Sequence, residues 1–180
     1  MSILIGTGPS DLYNAASDLL AAAAEALAMT DAGVQARQYV SPNTPSWDCE
    51  QLTVNVGTAA VGDTLPLQPP LQPGLREGAN RAVRVVAFTI TSLRCIPVVG
   101  NVGPKLPSPA AISAAAKVID DDLWAIWNHL ATLKRQGLLF PPAKDRVMFF
   151  DPAVPLQAQG GIVGWAIQVR PEMPAYEEAS

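Results

Sequence analysis

The longest run with a single hydrophobic period lies between Pro107 and Phe140. Ile112, Ala115, Ala116, Ile119, Leu123, Ile126, Leu130 and Leu133 recur at steps of three and four, which places one apolar stripe on a helix. Ser108 stands where an N-cap belongs, and Pro109 fills the first helical position, where a missing N–H costs nothing. Lys134 and Arg135 suit the negative end of the helix dipole, and Gly137 supplies a stop. At about 1.5 Å per residue this helix runs roughly 40 Å. A second helix is expected from a Ser10 cap to about Met29. Its face of Leu12, Ala15, Ala16, Leu19, Ala23 and Ala26 is flat and alanine-rich, suited to close packing on a sheet or on another helix.

The remaining pattern is that of strands. After a break at Asp31–Gly33, Val34 to Val40 reads as one, ended by a turn segment from Pro42 to Pro45. In Cys49 to Val56, apolar Leu52, Val54 and Val56 alternate with Gln51, Thr53 and Asn55. In Val83 to Cys95, one face carries Val86, Phe88 and Ile90, and the other Thr89, Thr91 and Cys95. Antiparallel pairing with Val54 opposite Ile90 also sets Val56 against Phe88, Thr53 against Thr91 and Cys49 against Cys95, so one register satisfies both faces. Both faces of the longer strand are fairly apolar, which makes it a central strand. Arg146 to Phe150 and Ile162 to Val169 complete the set, joined by a turn-rich link holding Pro152, Pro155, Gly160 and Gly161. The expected fold class is α/β (α+β): a single mixed, mostly antiparallel sheet, two long helices on one face, and a long proline-rich hairpin arm.

That arm is the connection from Thr58 to Asn80, with Pro66, Pro69, Pro70, Pro73 and Gly74. Leu65, Leu67, Leu71 and Leu75 punctuate it, and leucines on a proline-stiffened arm fit contact with the subunit's own surface or a neighbouring chain. The tail from Pro171 to Ser180 reads as a frayed or docking terminus. The 180 residues, 49% of them hydrophobic, fit a single domain spanning 1–180.

Composition narrows the function. Net charge is −4 and the 12 Lys and Arg are scattered, unlike a surface that neutralises phosphates. The absence of an 18-residue apolar run excludes a membrane helix, and no basic region precedes an apolar core at the start, so a soluble cytoplasmic product without a secretion signal is expected. Two cysteines and one histidine are too few for a usual structural zinc site. Cys49 and Cys95, directly opposite, could bridge; in a reducing cytoplasm the expectation is two packed thiols. Trp124 falls beside Lys117, Asp121 and Asn128, off the core stripe, which places it either across aliphatic stems or against another subunit. Asp120, Asp121 and Asp122 fan over about 200° of the helix and read as a solvated or salt-bridging face. His129 has no serine or cysteine nucleophile placed near it by sequence, and Gly6-Thr7-Gly8 lacks the downstream spacing of a phosphate loop. No catalytic residue, cofactor site or metal site is expected.

Four segments, taken together, carry a resemblance: Trp47-Asp48-Cys49-Glu50-Gln51-Leu52, Arg94-Cys95-Ile96-Pro97, Asp121-Asp122-Leu123-Trp124-Ala125-Ile126-Trp127-Asn128, and Gly160-Gly161-Ile162-Val163-Gly164-Trp165. In this order they resemble the tail terminator proteins of long-tailed phages infecting actinobacteria, over most of the chain from Trp47 to Val169. The resemblance implies a lambda-type terminator: a sheet backed by helices, assembled as a homohexameric ring that caps the head-proximal end of the tail tube. The implied partners are further copies of the chain, the major tail tube protein and a head–tail connector or stopper protein, with DNA passing through the ring. It implies no catalytic residues. The alternatives are another neck component, such as a connector or stopper, and a small hydrolase or ligand-binding protein.

Overall fold

A computed structural model describes residues 11–62, 83–97, 106–140 and 148–173. The order of elements is α1 (Asp11–Ala28), β1 (Arg37–Ser41), β2 (Gln51–Gly62), β3 (Val83–Cys95), α2 (Pro109–Gln136), β4 (Met148–Phe150), β5 (Val154–Gln159) and β6 (Ile162–Met173). The six strands form one sheet in the order β1-β2-β3-β6-β4, and β5 also pairs with β6. β1 runs parallel to β2, and every other pairing is antiparallel. The architecture is therefore the expected mixed, mostly antiparallel sheet with both helices packed against it.

The register follows from the alternation. Val54 faces Ile90, Val56 faces Phe88 and Thr53 faces Thr91. On the far side of β3, Ile167 stands opposite Ile90 and Val169 opposite Phe88, which makes β3 a central strand. The face bearing Leu52, Val54, Val86, Phe88, Ile90, Ile167 and Val169 forms one core with Ala15, Ala16, Leu19, Ala22, Ala23 and Ala26 of α1 and Leu123, Ile126 and Leu130 of α2. Small residues let α1 lie close to the sheet, whereas α2 fills its part of the core with leucine and isoleucine. The polar positions of the other face are less wet than alternation implies: Gln51, Thr53 and Thr91 are all buried there beside Leu93.

Helix α2 begins and ends as its residues dictate. The Ser108 hydroxyl accepts the Ala111 N–H at 3.2 Å. Gly137 adopts a left-handed conformation (φ 66°), and its N–H reaches back to the Leu133 and Lys134 carbonyls. Beyond it Phe140, also left-handed (φ 57°), stacks on Phe88 with ring centroids 6.1 Å apart. The Ser10 cap expected for α1 lies outside the described residues.

Several strand boundaries depart from expectation, and one strand was not expected. β1 starts at Arg37 rather than Val34, because Gln35 turns its amide inward to hydrogen-bond Ser92 and Asp122. β2 runs on to Gly62, so the first residues expected in the 58–80 arm are strand instead, and the remainder lies outside the described residues. A bulge sets Gly57 and Thr58 against Ala87, after which pairing resumes as far as Gly62 with Val83. The link after Phe150 contains a strand, β5, that its prolines concealed; Pro155 is accommodated because β5 is an edge strand there. The two-residue turn Gly160-Gly161, both at positive φ, closes the β5–β6 hairpin. β6 continues through Pro171 to Met173, so the start of the segment expected as a frayed or docking tail is strand, and the rest lies outside the described residues.

Gly164 is held where no side chain fits. A Cβ there would lie 1.8 Å from the Ser92 carbonyl oxygen and 3.0 Å from the Leu93 Cα, both backbone atoms that no rotamer change can move. Gly164→Ala is expected to destabilise the fold by about 3 kcal/mol, the upper part of the overpacking range. Urea denaturation of the two proteins measures this, and an unchanged midpoint would refute the close approach of β6 to β3.

Candidate functional site

The triple aspartate of α2 divides into unlike parts. Asp121 pairs with Lys117 on the helix surface, raising the lysine pKa, and Asp120 is exposed. Of the two alternatives expected, a solvated or a salt-bridging face, Asp122 takes the second, and it does so buried, only 1% exposed. Its carboxylate accepts from Arg94 Nε at 2.8 Å and from Arg94 Nη2 at 3.1 Å. Gln35 Nε2 donates to the same carboxylate at 3.2 Å and to the Ser92 hydroxyl at 2.7 Å. Arg94 also donates from Nη1 to Glu50 at 2.7 Å and from Nη2 to the Gly33 carbonyl at 2.5 Å.

The chain brings these groups together for a simple reason. Ser92 and Arg94 continue the even-numbered face of β3 that carries Val86, Phe88 and Ile90, so they too point toward the helices. A cation on that face needs an anion from the covering layer, and Asp122 precedes Leu123 where α2 first becomes buried. Burial opposes the Arg94 charge, but hydrogen bonds and charge from Asp122 and Glu50 outweigh it and hold the guanidinium pKa above the ordinary arginine value. The cluster joins α2, β3, the residue just before β2 and the segment after α1.

Beside it, Cys49 and Cys95 are joined in a disulfide, which corrects the expectation of two packed thiols. Extending the β2–β3 register by two residues sets them opposite each other, with Cα atoms 5.1 Å apart. The bond closes a loop with a sequence separation of 46 residues, worth about 4 kcal/mol in the chain-entropy account.

The second feature is on the outer surface. Helices α1 and α2 run antiparallel: Glu25 lies 3.6 Å from His129, while Asp31, after α1, acts on Lys117. The buried residues of α2, Asp122, Leu123, Ile126 and Leu130, all lie from its midpoint onward. Its first three turns therefore extend past α1, and part of their apolar stripe lies open: Ile112 is 50% exposed and Ala116 is exposed, although periodicity placed both on the buried stripe, while Ala115 and Ile119 are half-buried. Leu106, just ahead of the helix, is 75% exposed. Trp124 is 54% exposed, off the core stripe as its position implied. Its neighbour Trp127 instead packs on Phe150, centroids 5.8 Å apart.

An open groove of about 370 Å³ separates the helices, lined by Ala26, Met29, Thr30, Ala125, Asn128, His129 and Thr132. Its two hydroxyls are engaged, Thr30 donating to the Leu27 carbonyl and Thr132 accepting from Arg135. Among the described residues no carboxylate, serine or cysteine lines it. Among the described residues no three His, Cys, Asp or Glu side chains converge as a metal-binding group, and no helix is long and apolar enough to cross a membrane. The arm leucines Leu65, Leu67, Leu71 and Leu75 lie outside the described residues. Compared with known proteins, the chain matches no family model and no curated sequence.

Removing one side of the buried pair exposes its energetics. Arg94→Ala leaves the Asp122 charge buried without its cation and is expected to cost about 3–5 kcal/mol. Replacing the pair together, Arg94→Met with Asp122→Leu, should recover most of that loss, as a double-mutant cycle in denaturant will read out. Equal losses in the single and double variants would contradict the pairing.

Proposed function

We propose that this protein is a tail terminator of a long-tailed phage, a structural virion protein that forms a ring on the head-proximal end of the tail tube. The observation that carries this reading is the exposed apolar surface along α2: Trp124 on the outer flank, Ile112 on the overhanging first turns and Leu106 just ahead of them. The tryptophan and the overhang occupy different places on one molecule. Contacts between unlike patches are head-to-tail, the type that closes into rings. The four resembling segments point to the same assembly, and one of them contains Trp124 itself.

In this reading the ring stops tube polymerisation and offers its other face to the connector or stopper. The chain carries no catalytic role and needs no cofactor. It is made in the host cytoplasm and ends in the virion neck. DNA crosses the ring without sequence-specific contact, which suits a chain of net charge −4, because each cationic contact to phosphate would hold the strand.

Trp124→Ala is the direct test. Surface truncation should leave the subunit fold within about 0.5 kcal/mol of its original stability. Loss of an interfacial tryptophan should weaken ring association by about 2 kcal/mol, roughly thirtyfold. Thermal melting and light scattering on the same samples separate these effects. A large loss of subunit stability with normal association would reverse the assignment of Trp124.

Deleting Leu65 to Gly74 tests the arm. The expected product is a folded subunit that fails to complement a phage lacking the intact gene, giving tails of irregular length or tails unjoined to heads. Normal virions from the deletion would count against the arm. Electron microscopy of labelled necks that placed the chain away from the end of the tube would favour a connector or stopper instead.

A further inference from the structure

We propose that the Cys49–Cys95 disulfide is a redox-sensitive latch that sets how firmly α2 is held at Asp122. The latch belongs to the single subunit and does not rest on the assembly reading. The bond crosses the open end of the β2–β3 pair, two residues beyond the last paired residues, Gln51 and Leu93. Cys95 is exposed and Cys49 half-buried, so a small thiol can reach the bond from solvent.

Glu50 transmits the state of the bond. It sits between Cys49 and the first residue of β2 in a left-handed conformation (φ 52°), which a residue other than glycine holds only when its surroundings fix it. Its carbonyl accepts the Arg37 N–H at 3.0 Å. Its carboxylate accepts from the Cys95 N–H at 3.4 Å and from Arg94 Nη1 at 2.7 Å. Arg94 in turn grips Asp122 through Nε and Nη2. Cystine, Glu50, Arg94 and Asp122 thus form one continuous chain from the sheet end to the first buried residue of α2.

The chemistry is ordinary thiol–disulfide exchange. A thiolate of an external dithiol attacks Sγ of Cys95, breaking the Sγ–Sγ bond and releasing the Cys49 thiolate, which takes up a proton. The second thiol of the reagent then displaces Cys95. Two protein thiols and one oxidised, cyclic reagent remain. Without the bond, residues 49 and 50 regain backbone freedom and Glu50 leaves Arg94 for water. Arg94 then holds Asp122 with one fewer anchor on its own position.

Hydrogen exchange resolved by mass spectrometry tests this on the full chain, before and after treatment with dithiothreitol, with thiol titration confirming zero and two free thiols. Reduction is expected to speed exchange tenfold or more in residues 118–126 of α2, as well as around 49–51 and 94–96. The β6 segment 162–169 should not change. A change confined to the two cysteine segments would overturn the proposal. So would acceleration throughout the core, which would make the bond a general staple. Glu50→Asn supplies the second arm: asparagine accepts a left-handed backbone, but its shorter, uncharged amide cannot bridge Cys95 and Arg94. In that variant the oxidised and reduced forms should exchange alike over 118–126. A difference there as large as in the parent protein would show that Glu50 is not the link.

Discussion

Arg94 enters the interior of this protein on a strand face otherwise given over to valine, phenylalanine and isoleucine, and much of the arrangement around it answers to that charge. A guanidinium taken from water costs several kcal/mol unless its donors are met. Here three donor atoms are met by Asp122, Glu50 and the Gly33 carbonyl, drawn from three separate stretches of chain. Gln35 completes the ring of partners by holding both Asp122 and Ser92. The polar cluster continues the hydrophobic core rather than interrupting it, because each of its members also fixes where an apolar neighbour must lie.

Its strongest effect is on the rotation of α2. Leucine and isoleucine side chains would tolerate modest turning of the helix about its axis, since apolar contacts have little directional preference. A two-donor grip on one carboxylate does not. With Asp122 pointed at β3, Trp124 stands about 200° further round the helix and must face outward. The exposure of the tryptophan is thus a consequence of the buried pair, two residues away in sequence and on the opposite side of the cylinder.

The parts legible in the sequence were those with one dominant period. The two helices, the pairing of Val54 with Ile90 and the caps of α2 followed from spacing and local chemistry. β5 was obscured because Pro152 and Pro155 argued against a strand, although Gly160-Gly161 between two alternating runs is a hairpin signal. Asp122 was obscured by its neighbours, since three consecutive aspartates look like surface. The clue lay 28 residues away, where Arg94 occupies the same alternation as Ile90. Ile112 and Ala116 failed for a different reason. Periodicity reports which face of a helix is apolar, but where the covering layer ends depends on the length of α1, and the long helix outruns it.

That overrun gives α2 the mechanics of a beam clamped at one end. From Asp122 back to Ser108 the span is about 20 Å at 1.5 Å per residue, with no fully buried side chain between them. A tilt of about 10° at the clamp, small by the standards of packed helices, would carry the tip through roughly 3.5 Å over that span. Displacement grows with distance from the pivot, so the residues least engaged with the fold, around Leu106 and Ile112, are those whose positions respond most to what happens at Asp122.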